Sequence, residues 1–179
     1  MKRNHRKVNT KTVAVFGILI ALALVFSYVE SQVPAFFAFP GMKLGLTNVV
    51  VLTALYQMGG VAAMSINLLR IALVSMLFGG PSAFLYSLAG GMLSTTVMIL
   101  LKKIGHFRPL TVSIAGGIAH NVGQILTAMV LMNTAGIGWY LCVLWFTGLA
   151  SGTLIGLLGH IVIRRIPKSI WNGGNRDET

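Results

Sequence analysis

Apolar residues run in long blocks along this chain, and the breaks between blocks are short. The blocks predict helices over about 12–33, 43–58, 60–78, 82–101, 109–132 and 138–163. Crossing the hydrocarbon of a bilayer takes roughly 20 apolar residues, so each is a candidate membrane span. The thinnest division separates the second block from the third, where Gln57-Met58-Gly59-Gly60 is the only break. Read through that break, the two would form one long helix.

The cations favour the division. Lys2, Arg3, Arg6, Lys7 and Lys11 precede the first helix; Lys102, Lys103 and Arg108 lie between the fourth and fifth; Arg164, Arg165, Lys168 and Arg176 follow the last. With six helices and both termini cytoplasmic, twelve of the fourteen cations fall on one side, as the positive-inside rule requires. Merging two helices would put the termini on opposite faces. Lys43 is then the cation of the opposite loops, and Arg70 lies inside a span.

Composition agrees with this reading. Hydrophobic residues make up 55% of the 179 and charged residues 9%, where soluble domains carry about 25% charged. The class is an all-α integral membrane protein with six transmembrane helices, placed as a multi-pass protein of the plasma membrane. The net charge of +11 does not mark a nucleic-acid binder, because the cations flank apolar spans instead of forming a patch. The basic start resembles a secretory signal, but the apolar run behind it is too long for one, so it reads as a retained helix. The chain divides into a basic cytoplasmic segment over 1–11, one transmembrane domain over 12–165 and a polar cytoplasmic tail over 166–179.

Polar residues inside the spans narrow the function. Glu30 is the one carboxylate of the membrane body, since Asp177 and Glu178 lie in the tail. Glu30 falls near the outer end of the first helix, and Lys43 and Asn48 near the outer end of the second. Asn67 and Arg70 share a face of the third, and His120, Asn121 and Gln124 a face of the fifth. A single Asn or His in a span is more often an interhelical hydrogen bond than a ligand contact. Arg70 is different, because an unpaired guanidinium in lipid is expensive. Glu30 can neutralise Arg70 or Lys43 but not both. The outer half is left with excess positive charge, which predicts a site for a carboxylate or phosphate. Pro40 and Gly41 end the loop before the second helix, whose N-terminus adds partial positive charge.

Small residues suggest packing. Gly148, Gly152 and Gly156 form a stripe on the last helix that suits close packing inside the chain. Gly17 and Ala21 on the first helix could pack internally or dock a partner. On a helical wheel Ala23, Ser27 and Glu30 lie about 130° from that pair, so one helix can present two stripes. A weak repeat pairs 87–100 with 113–126. Inverted repeats occur in transporters, but small-residue motifs also recur by chance.

Other chemistry finds little support in the sequence. No P-loop motif occurs. No acidic cluster could hold Mg²⁺, and His106, His120 and His160 lack ligand spacing. No cofactor, metal or catalytic residue is expected. With one membrane carboxylate the chain is poorly equipped for proton-driven transport, so energy would come from another protein.

The stretches 24–56, 66–91 and 116–126 resemble the Gx transporter family, also called heptaprenyl diphosphate synthase component I. That family is similar to the S components of energy-coupling factor (ECF) importers. The resemblance implies a six-helix bundle with an outward-facing pocket for a vitamin-like molecule, capped by the loop between helices one and two. It also implies docking of a shared coupling transmembrane protein, with its cytoplasmic ATPases, through a small-x3-small motif on helix one. Gly17 and Ala21 match that motif in type. The expected site residues are Glu30, Lys43, Asn48, Asn67, Arg70, His120, Asn121 and Gln124, acting on a small-molecule substrate. The family's second name implies another role, as a non-catalytic accessory subunit in menaquinone side-chain synthesis.

Overall fold

The computed structural model describes residues 10–32, 45–166 and 170. Six α-helices account for most of them: α1 (Thr10–Gln32), α2 (Leu46–Met58), α3 (Gly60–Val74), α4 (Pro81–Ile104), α5 (Pro109–Leu131) and α6 (Leu141–Arg165). A π-helical turn, Ser75–Gly79, continues α3, and a 3₁₀ turn, Ala135–Tyr140, leads into α6. No strand forms among the described residues. Five segments are long and apolar enough to cross a membrane, and α2 is a shorter apolar helix. The chain is a multi-pass helical membrane protein. Most of the basic segment expected over 1–11 and most of the tail expected over 166–179 lie outside the described residues.

The doubtful division is a real one. Gly59 has φ 101° and ψ 175°, a backbone that residues with a Cβ rarely adopt. It ends α2, donates its N–H to the Ala54 carbonyl at 3.1 Å, and lets α3 start at once in a new direction. Pro81, after a second positive-φ residue, Gly80, starts α4 where a missing N–H costs nothing.

The second helix is expected from residue 43 and is observed from 46. Its 13 residues span roughly 20 Å, short of the ~30 Å hydrocarbon thickness. The shortness has a packing reason. α2 is in contact with all the other helices, and Thr47 and Val49 through Leu55 are all buried. It lies within protein, so lipid thickness does not set its length. The core collects around it, with Val50, Val51, Leu52 and Leu55 meeting Leu19 and Ala23 of α1, Ile66 of α3, Met98 of α4 and Val112 of α5.

Glycines hold α4, α5 and α6 together. A Cβ on Gly152 would lie 2.7 Å from the Ile114 Cα, and one on Gly117 would lie 2.6 Å from the Gly148 carbonyl oxygen. The stripe of α6 therefore packs inside this chain, against α5. The repeated stretches also pack on one another. Gly90 lies against His120 and Gln124, and Gly116 against Ser94 and Met98. Aligned in register, position 94 matches 120 and 98 matches 124, so the contacts repeat about a local two-fold axis. Chain order does not follow that symmetry, because Gly91 faces Asn67 and Ile71 of α3 while Gly117 faces Gly148 and Gly152 of α6. The repeat is thus a two-helix packing motif.

The first helix packs on α2 and α3 and buries Leu19, Ala23 and Ser27. Gly17 and Ala21 are exposed, and a Cβ on Gly17 would meet nothing within 4 Å. Internal packing of that pair is excluded among the described residues.

Candidate functional site

The turn from α2 to α3, the end of α4 and the end of α6 share one end of the bundle, which carries Lys102, Lys103, Arg164 and Arg165. Three bonds tie this basic end together: Gln57 Nε2 donates to the Ile163 carbonyl at 3.1 Å, Lys102 Nζ to the Leu55 carbonyl at 2.5 Å and Tyr56 Oη to the Phe107 carbonyl at 3.5 Å. A polar cavity occupies the other end, where α1 finishes and α2 begins.

Its lining among the described residues is Glu30 from α1, Gly45, Thr47 and Asn48 at the start of α2, Arg70 from α3, Gly117, His120, Asn121 and Gln124 from α5, and Ser151 from α6. Six of the residues singled out in the sequence therefore meet in one place: Glu30, Asn48, Arg70, His120, Asn121 and Gln124. Lys43, with Pro40 and Gly41, lies outside the described residues. Asn67 is buried behind the lining.

Asn67 positions Arg70. Its Nδ2 donates to the Gly91 carbonyl at 3.0 Å and to Thr95 Oγ1 at 2.8 Å. That fixes the amide, and Oδ1 accepts from Arg70 Nη2 at 2.6 Å. The spacing of three residues on one helical turn makes this possible. Arg70 Nε is buried and makes no hydrogen bond among the described residues. An unmet buried donor costs about 1–3 kcal/mol, so its presence here calls for an explanation.

The expected acid for Arg70 is partly engaged elsewhere. Glu30 Oε1 accepts from the Leu46 backbone N–H at 2.9 Å, and Oε2 accepts from Thr47 Oγ1 at 3.3 Å. Ser27 Oγ and Thr47 Oγ1 are 3.0 Å apart. Since the Thr47 proton goes to Glu30, Ser27 is the donor in that pair. Glu30 thus caps α2 from a different helix, at a start where Gly45 has no side chain to do so. A carboxylate is favourable there because the first N–H groups of a helix are unsatisfied and carry partial positive charge. The partial charge that the sequence assigns to the anion site is met by Glu30. The carboxylate's field reaches Arg70, yet no ion pair joins the two among the described residues.

The remaining lining differs in how far it is committed. Asn121 Nδ2 donates to the Leu144 carbonyl at 2.6 Å and to Thr147 Oγ1 at 3.3 Å, which joins α5 to α6. Ser151 Oγ donates to the Gly148 carbonyl at 3.4 Å. His120 and Gln124 pack against Gly90. The side chains of Asn48 and Gln124 line the cavity and make no hydrogen bond among the described residues. Thr47, Gly117 and Ser151 were not singled out in the sequence. Ser151 sits inside the glycine stripe, where small residues read as packing. The cavity volume is about 50 Å³, close to the room of one or two waters.

Comparisons with known proteins fit this architecture. A solved structure, described as the S component of a bacterial ECF transporter, aligns with a TM-score of 0.63 at 20% identity, covering 85% of this chain and 95% of that one. No curated protein matches the chain. The class is therefore a multi-pass membrane protein with the S-component fold. The family model described as heptaprenyl diphosphate synthase component I matches residues 19–162. The chain belongs to that family.

Proposed function

We propose that this chain is the substrate-capturing subunit of an ECF-type, ATP-driven importer in the plasma membrane. In this reading the chain crosses the bilayer six times with both termini cytoplasmic, the short α2 making its crossing inside the bundle, and the polar cavity faces outward. The observation that carries it is the cavity itself. Polar side chains from α1, α2, α3, α5 and α6 converge on it, and Arg70 within it has an unmet buried donor. An anionic group, carboxylate or phosphate, is the natural partner of that guanidinium. Asn48, His120, Asn121 and Gln124 would hydrogen-bond the rest of the molecule, and Asn67 would hold Arg70 in place. Lys43 would add a second cation, and Glu30 would balance charge while holding α1 to α2. A vitamin-sized ligand needs roughly 300–1,000 Å³, so binding requires the outer ends of the helices to part.

The exposed pair Gly17 and Ala21 supports docking of a coupling transmembrane protein, which would bring cytoplasmic ATPases. The chain itself would not be an enzyme. The family's description favours a second reading, an accessory subunit beside a prenyl diphosphate synthase. Catalysis of that reaction by this chain is disfavoured by the sequence, because prenyl elongation needs clustered aspartates and the one Asp is Asp177.

The test is purification of the full chain from its own membrane, with mass spectrometry of small molecules that leave on denaturation. It is paired with uptake of the recovered molecule in cells that also make the coupling module. An anionic compound that is recovered with the protein and no longer taken up with Arg70→Ala is expected. No bound compound, together with unchanged uptake in Arg70→Ala, would overturn the reading. Prenyl synthase activity that depends on this chain would favour the alternative.

A further inference from the structure

A second cavity, of about 490 Å³, lies at the basic end of the bundle. Leu55 of α2, Gly60, Val61, Met64 and Ser65 of α3, and Ile99, Lys102 and Lys103 of α4 line it. It is separate from the polar cavity and shares no residue with it.

The groove is built to be amphipathic. Its walls are mostly aliphatic side chains, and Gly60 lies against Ile99. Both lysines sit in the last turn of α4. Lys102 is fixed there, since its ammonium donates to the Leu55 carbonyl, near the end of α2, at 2.5 Å and stands 5.1 Å from the centre of the Tyr56 ring. An ammonium has three donors, so the backbone bond leaves others for a ligand. Lys103 is exposed. Among the described residues the one carboxylate is Glu30, at the opposite end, so nothing acidic offsets this pair. Two cations at one end of an apolar groove select a molecule with an anionic head and a hydrocarbon tail.

The geometry points to a binding site for an anionic diacyl phospholipid, with one acyl chain along Leu55, Val61, Met64 and Ile99 and the phosphate on Lys102 and Lys103. The depth agrees, because helix ends that carry cations lie at the headgroup level, where basic pockets between helices hold anionic lipids. Ser65, which lines the groove and makes no side-chain hydrogen bond among the described residues, would face the ester region. This site does not depend on what the polar cavity binds.

The experiment is native mass spectrometry of the full chain, titrated in detergent with phosphatidylglycerol or phosphatidylcholine of the same acyl length. Phosphatidylglycerol should be retained over phosphatidylcholine. Lys103→Gln should lower that retention about fivefold, the contribution of one basic residue near an anionic headgroup, and Lys103→Arg should restore it. Ser65→Leu, which fills the groove, should remove the bound lipid in protein that still elutes as a single folded species. Equal retention of the two lipids, or no change in Lys103→Gln, would overturn the proposal. So would displacement by glycerol phosphate as effective as by the lipid, which would mark a soluble-anion site. Protection of Lys103 from acylation by an added coupling protein, without any lipid preference, would reassign the groove to protein docking.

Discussion

The cavity at the Glu30 end measures about 50 Å³ and is lined largely by side chains that can hydrogen-bond; the groove at the basic end measures about 490 Å³ and is lined mainly by carbon. Size and chemistry point in opposite directions. The small cavity is small because its groups hold one another: Glu30 on Leu46 and Thr47, Asn67 on Arg70, Asn121 on α6. The large groove has little to draw its walls together beyond the bond from Lys102 to Leu55. Volume alone would select the basic end. Convergence of polar groups within a membrane, where each is costly unless partnered, selects the other.

That contrast can be broken most severely at Gly117, which lines the polar cavity and abuts α6. In Gly117→Leu the new side chain meets the Gly148 carbonyl and the Gly152 Cα, which are backbone and cannot turn aside. Overpacking costs about 1–3 kcal/mol even in yielding cores, so this variant should lose the monodisperse folded peak on size exclusion. Next comes Arg70→Met, which keeps length and removes charge. Affinity for the anion recovered with the protein should fall about 10- to 100-fold, the range of a hydrogen bond to a charged group. Phosphatidylglycerol binding at the groove should not change. A loss at both sites would show that the two ends are not independent.

Asn67→Ala should weaken the same ligand by about tenfold, because it frees Arg70 while leaving the charge in place, and should lower the melting temperature in detergent because Arg70 Nη2 loses its acceptor and α3 loses its bonds to Gly91 and Thr95 of α4. Glu30→Gln should cost about 1 kcal/mol, since an amide still accepts the bond from Leu46 but loses its charge at the helix start. Hydrogen exchange should then rise at the first amides of α2. The smallest effect belongs to Gly60→Ala at the groove. The added methyl meets only the Ile99 side chain, at 3.2 Å, and a rotamer shift should absorb it within about 0.5 kcal/mol. An equally small effect of Gly117→Leu would remove the distinction between the two ends.

The helices were largely legible in the sequence, because apolar blocks interrupted by Gly, Pro and Lys leave few alternatives in a membrane. The gathering of Glu30, Asn48, Arg70, His120, Asn121 and Gln124 was legible in depth, since polar groups in spans must find one another. The position of Asn67 was half legible: its face follows from helical spacing, but its place behind Arg70 depends on Gly91 and Thr95 of another helix. The capping role of Glu30 was not legible. It joins residues 16 and 17 apart in sequence and arises because Gly45 leaves α2 without a side-chain cap of its own. The central position of α2 was hidden too, since an apolar segment looks the same whether lipid or protein surrounds it.

The shortness of α2 has a consequence for how the protein is made. A helix of roughly 20 Å gains less from a bilayer than its neighbours do, so its seat must come from segments synthesised before and after it. α1 is made before it and offers Leu19 and Ala23. α3 follows at once across the Gly59 turn. The last wall arrives only with α6, whose Gly159 lies against Leu52. The centre of the finished bundle is thus the part that waits longest for its neighbours during synthesis, and a ribosome stalled before residue 141 would leave α2 without the helix that closes over it.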